Sequence, residues 1–127
     1  MLKDDFFYIQ SVRDDQGVIS AMLEINPGHK IFQGHFPGQP VVPGVCMMEM
    51  VKEVTETVTG KEIFLQKADN IKFLSVIDPN QNRNVNARIQ YASNDNSHIT
   101  FEATLFKEDT VYLKFKGEFV AEFLASA

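Results

Sequence analysis

Gly34-His35-Phe36-Pro37-Gly38-Gln39-Pro40-Val41-Val42-Pro43-Gly44-Val45-Cys46-Met47-Met48-Glu49 is the most informative segment of the chain. Three prolines and three glycines fall within the eleven residues Gly34 to Gly44. Proline fixes φ and glycine admits conformations closed to other residues, so such a loop holds a side chain in one place. The side chain held here is His35. Pro43-Gly44 then opens a helix, and Glu49 stands in its second turn among Cys46, Met47, Met48, Met50 and Val51. A carboxylate in that company must find a partner or suffer desolvation. A positioned His and a positioned Glu are the minimum for general acid–base chemistry.

Working outward, the helix runs from Pro43 to about Thr59, with Gly60 as its C-terminal cap. Val45, Met48, Val51, Val54 and Val58 are spaced as an apolar stripe. Lys52, Glu53 and Glu56 should emerge towards the surface. Upstream, Ile19, Ala21, Leu23 and Ile25 alternate as a strand over Val18 to Ile25, ending at Pro27-Gly28. Lys30 to Phe36 reads as a second short extended piece. Downstream everything reads as sheet. Ile63 to Gln66 and Ile71 to Ile77 flank a bulge or kink at Ala68-Asp69-Asn70. Alternation then marks strands at Val85 to Tyr91 and Ile99 to Leu105, and a long closing strand from Val111 to Ala121. One largely buried helix followed by long antiparallel strands is an α+β layout in which a curved sheet wraps the helix. With neither repeats nor linkers, residues 1–127 read as a single domain.

Composition narrows the function classes. The chain has 127 residues, 44% hydrophobic and 23% charged, enough for a core without disulfides or metals. Eleven phenylalanines and no tryptophan point to a Phe-rich core. A net charge of −5 argues against general nucleic-acid binding, which needs clustered Lys and Arg. Met1 to Ser11 carries Lys3, Asp4 and Asp5 with no long apolar run, so neither a signal peptide nor membrane insertion is expected. The single cysteine, Cys46, fits a cytoplasmic protein and reads as a small buried hydrophobe. His29 and His98 read as solvated. The three histidines lack zinc-type spacing, so no metal is expected.

The motif resembles that of the (3R)-3-hydroxyacyl-acyl-carrier-protein dehydratases, a hotdog-fold family with the pattern H-F-P-G-x-P-hydrophobic-M-P-G-hydrophobic-x-x-x-E. This chain matches it nearly throughout, with Val42 where Met is usual and the same spacing between His35 and Glu49. The resemblance implies a hotdog fold, a curved antiparallel sheet around one long central helix. It implies a hydro-lyase converting (3R)-3-hydroxyacyl thioesters to trans-2-enoyl thioesters without a cofactor, in fatty-acid or related lipid or polyene biosynthesis. His35 would remove the C2 proton, and Glu49 would protonate the leaving 3-hydroxyl. The backbone N–H groups of Gly44 and Val45, without intrahelical acceptors, would receive the thioester oxygen. Phe36, Pro37, Gly38 and Pro43 would form the motif loop, with a cis His35–Phe36 peptide.

The implied partners are an acyl carrier protein and a second copy of the chain. The resemblance implies a homodimer with active sites shared between subunits, with a trimer of dimers also occurring. Carriers are acidic, so docking needs a local basic patch, for which Lys67 and Lys72 are the candidates. Two departures bear on substrate. Glu53 stands where the family carries Gln, and Asp78-Pro79-Asn80-Gln81 replaces its Pro-Gly-Asp turn. A hotdog thioesterase or a non-catalytic acyl-binding subunit stays open as an alternative.

Overall fold

A computed structural model describes residues 1–95 and 97–121. Six strands form one antiparallel sheet in the order β1-β2-β4-β5-β6-β3. They are β1 (Phe7–Asp15), β2 (Val18–Ile25), β3 (Ile63–Phe73), β4 (Asn84–Ser93), β5 (His98–Lys107) and β6 (Thr110–Ala121). Between β2 and β3 come the short helix α1 (Ile31–Gly34) and the long helix α2 (Gly44–Thr59), which packs against β1, β2, β3 and β4. This is the hotdog layout.

Alternation positions the sheet around α2. Val85, Ala87 and Ile89 of β4 turn inward with Ile99, Phe101, Ala103 and Leu105 of β5. Phe115 and Phe119 of β6 close on Phe101 at ring-centroid distances of 4.8 and 4.1 Å. From α2, Met50, Val51 and Val54 are fully buried, worth about 1.5–3 kcal/mol each. Pro43 caps the helix in extended geometry, and Gly60 ends it at φ 72°, donating its N–H to the Glu56 carbonyl at 2.8 Å.

Bulges bend the sheet. Register shifts interrupt β1 between Ile9 and Ser11, and β3 between Leu65 and Lys67 and between Ala68 and Asn70. The expected kink near Ala68 is therefore present, within one continuous strand. Gly117 on β6 makes it possible. A Cβ there would lie 2.1 Å from the Lys67 carbonyl oxygen and 3.1 Å from the Ala68 Cα. These are backbone atoms that cannot swing aside. Gly117→Ala should therefore cost about 3 kcal/mol, lowering Tm by roughly 10 °C. An unchanged melting curve would mean that the bulge adapts freely.

Several sequence expectations need correction. Lys30 to Phe36 is not extended: Ile31–Gly34 is one helical turn, because Phe32 is buried against Phe6, with ring centroids 5.5 Å apart. Strand β1 had no reading, since beyond Phe7 its residues are mostly exposed and lack alternation. The stripe on α2 is displaced: Cys46, Met47, Met50, Val51 and Val54 are buried, whereas Val45 is 73% exposed. Glu53, expected at the surface, is fully buried. His29, read as solvated, keeps only 12% of its side chain exposed.

Candidate active site

The motif loop crosses from α1 to α2, and its backbone is pinned at each step. Phe36 and Gln39 exchange N–H···O bonds of 3.2 and 3.0 Å, with Gly38 at φ 79° in the turn. The Val41 N–H donates to the His35 carbonyl at 3.1 Å, and the Val42 N–H to the Ile77 carbonyl at 3.0 Å. The His35–Phe36 peptide is cis. His35 stacks on the Phe36 ring at 4.3 Å between centroids. Its Nδ1 lies 3.3 Å from the Val41 carbonyl oxygen. In the tautomer that donates Nδ1–H to that oxygen, Nε2 keeps a free lone pair, the form a general base needs.

Glu49 lies on α2 with 33% of its side chain exposed. It borders a small hollow also lined by Val45, Met48, Lys52, Leu65 and Phe115. Burial and a hydrogen bond with Glu53 push its carboxyl above the ordinary glutamate range, against the pull of Lys52, whose Nζ is 3.4 Å away. An upward shift is the direction a general acid requires. Burial, and then the Glu49 carboxylate, push the Cys46 thiol up as well, which disfavours a reactive thiolate.

The first turn of α2 brings Gly44 and Val45 beside Glu49. Among the described residues, neither backbone N–H donates to an acceptor, so both face the positive end of the helix dipole unpaired. The Phe73 ring lies so close over Gly44 that a Cβ there would come within 2.8 Å of it. A side chain there would push the half-exposed Phe73 ring aside.

The structure does not bring His35 and Glu49 into hydrogen-bond contact within one chain. The motif loop instead borders a separate depression lined by His29, Phe32, Phe36, Pro37 and Asn80. Asn80 belongs to the altered 78–81 turn, so that departure falls beside the loop. His29 accepts the Ile31 N–H at 3.1 Å and faces Asp5 at 3.1 Å, a local structural role. Lys67 and Lys72 are exposed on β3; Lys67 pairs with Asp69 at 3.4 Å, and Lys72 lies opposite Lys114. Among the described residues, no cluster of His, Cys, Asp or Glu suits a metal, and no helix is long and apolar enough to cross a membrane.

The residue that the sequence reading missed is Glu53. Its signals were present: it departs from the family's Gln, and it follows Glu49 by one helical turn.

Comparison with known proteins agrees with the fold and the family resemblance. The family model described as ApeI-like, ApeI dehydratase, matches residues 10–116. The 3-hydroxyacyl-acyl-carrier-protein dehydratase FabZ of Wolbachia pipientis wMel is 30% identical over 79 residues, 57% of this chain and 55% of that protein. The FabZ of Lactobacillus helveticus (strain DPC 4571) is 37% identical over 75 residues, 44% of this chain and 51% of that protein. The chain thus matches about half the length of these curated relatives. Among solved structures, the dehydratase heterocomplex ApeI:P from Xenorhabdus doucetiae gives a TM-score of 0.69 at 21% identity, covering 88% of this chain and 96% of that one. A hypothetical thioesterase with coenzyme A from Streptococcus pneumoniae TIGR4 gives 0.64 at 10% identity, covering 94% and 88%. At these identities the structural likenesses speak for the fold alone.

Proposed function

Because the chain belongs to the ApeI-like dehydratase family, we propose that it eliminates water from (3R)-3-hydroxyacyl thioesters, carried on an acyl carrier protein, to give trans-2-enoyl thioesters. The observation that carries this reading is a loop-fixed His35, its Nδ1 at the Val41 carbonyl, in the same short motif as a Glu49 carboxyl that burial pushes above the ordinary glutamate range.

The thioester oxygen accepts the N–H groups of Gly44 and Val45, which stabilise the charge that develops there when C2 loses its proton. His35 Nε2 takes that proton. The electron pair of the C2–H bond forms the C2–C3 double bond, and the C3–O bond breaks. Glu49 delivers its proton to the departing hydroxyl, which leaves as water. His35 then returns a proton to solvent and Glu49 regains one, so no cofactor is needed.

The site is shared between two copies of the chain. Leu65, Ile71 and Phe73 of β3 pair with Phe119, Phe115 and Leu113, so they lie on the inner face of the sheet. Yet they are 41%, 36% and 51% exposed. Edge strand β3 therefore presents an uncovered apolar surface beside exposed Val45, as expected where a second subunit joins. Pairing of β3 strands about a two-fold axis would bring His35 of one copy towards Glu49 of the other.

A single set of assays tests the reading. Purified protein given 3-hydroxyacyl thioesters of increasing chain length should develop enoyl-thioester absorbance and release no free thiol. Thiol release without enoyl product would replace the dehydratase by a thioesterase. Carrier docking is assigned to Lys67 and Lys72, with Lys72 more available because it forms no ion pair among the described residues. Lys72→Glu should raise KM for carrier-bound substrate by about tenfold while leaving the coenzyme A thioester unaffected. Equal changes for both substrates would remove Lys72 from docking.

A further inference from the structure

Glu53 is the only charged side chain that is fully buried among the described residues. It lies one turn beyond Glu49 on α2, the spacing at which helical side chains meet. Its Oε1 accepts the N–H groups of Leu2 and Lys3 at 3.1 and 2.7 Å, and its Oε2 accepts the Leu2 N–H at 2.9 Å. Two backbone donors thus clamp this carboxylate from outside the helix. Side-chain hydrogen bonding also joins it to Glu49.

Two carboxyl groups in contact resist double ionisation, so the pair takes up its first proton more readily than an isolated glutamate. Their surroundings decide which of the two takes it. Glu53 has the two N–H donors, which favour its charged form. Glu49 faces the apolar hollow, and among the described residues the cation paired with it is Lys52, at 3.4 Å and also drawn 3.8 Å from Glu56. The other charged or titratable groups near the pair are the Cys46 thiol and, on the Glu53 side, the Met1 amino group. The strands packed on α2 turn apolar residues inward, among them Phe7, Leu23, Ile63 and Val85. Burial alone would raise Glu53, but the bonds from Glu49, Leu2 and Lys3 outweigh it and hold its carboxyl below the ordinary range. Glu49 is pushed the other way.

We propose that Glu53 is a positioning residue: clamped by the Leu2 and Lys3 N–H groups, its carboxylate accepts a hydrogen bond from the Glu49 carboxyl and keeps the proton on the reaction's acid. The inference rests on the role given to Glu49 under the proposed function. A Gln in this place could donate to Glu49 as readily as accept from it. An ionised Glu can only accept, so the location of the proton is dictated.

Glu53→Gln tests this with little change of shape. The amide oxygen can still take the Leu2 and Lys3 N–H groups, while its NH₂ turns to Glu49 and favours the ionised form. The alkaline limb of the kcat/KM profile, where Glu49 loses its proton, should move to lower pH by about one unit or more. Loss of activity should therefore be larger at pH 8 than at pH 6. A uniform loss at every pH, or superimposable profiles, would overturn the proposal. Carboxyl NMR of glutamate-labelled wild-type protein provides a readout that needs neither the variant nor turnover. One resonance, absent from Glu49→Gln protein, should titrate well above the ordinary glutamate value of about 4.3. If Glu49 titrates at the ordinary value, the pair does not hold the proton and the proposal fails. If no thioester is dehydrated but Glu49 titrates high, the function is wrong and the carboxyl pair stands.

Discussion

Replacing His35 with Ala is expected to lower turnover of a 3-hydroxyacyl thioester by on the order of a hundredfold or more, and Glu49→Ala should match it. In the proposed mechanism each substitution removes a proton-transfer group, and neither touches the apolar core. His35 stacks on the exposed Phe36, and Glu49 keeps a third of its side chain in solvent. The fold should therefore survive both changes, with melting temperatures near that of the parent. If the two groups act in one elimination, as proposed, the double variant should be little worse than either single variant. Steady-state kinetics beside thermal melts separate lost chemistry from lost structure. Near-normal turnover in well-folded Glu49→Ala would remove Glu49 from the mechanism.

Mixing those two inactive variants should restore activity. In a heterodimer of one His35→Ala chain and one Glu49→Ala chain, one site has lost both groups, and the other unites an intact His35 with an intact Glu49. A two-fold interface requires this. With random pairing of equal amounts, about half the dimers are mixed and roughly a quarter of all sites are whole. Turnover should then rise to about that fraction of the parent's, far above either variant alone. Native mass spectrometry establishes that subunits have exchanged. Activity that stays at the level of the single variants after exchange would mean that each site is built within one chain. The exposed inner face of β3 would then need another explanation.

Much of the molecule was legible before any coordinates, because it depends on interactions short in sequence. The Gly/Pro spacing around His35 announced a held loop, and Pro43 and Gly60 bracketed α2 to within one residue. Alternation located β2, β4, β5 and β6, since each buries one face and period two is a local property. Strand β1 escaped because beyond Phe7 this edge strand is mostly exposed on both faces, so nothing makes it alternate. Residues 31–34 escaped because a single helical turn is too short for a period to develop, and the burial of Phe32 against Phe6 decided it.

The state of the carboxylates belonged to tertiary structure alone. From sequence, Glu49 was the buried acid and Glu53 a surface residue. In the fold, Glu49 borders a hollow, and Glu53 is sealed beneath the chain's first residues. The reason lies in sequence separation: the N–H groups that clamp Glu53 come from Leu2 and Lys3, about fifty positions away. No periodicity on α2 carries information about a segment that arrives from outside it. The helix and its motif therefore determine where the two carboxyl groups stand, and the packing of the N-terminal segment holds Glu53 towards its charged form while burial pushes Glu49 the other way.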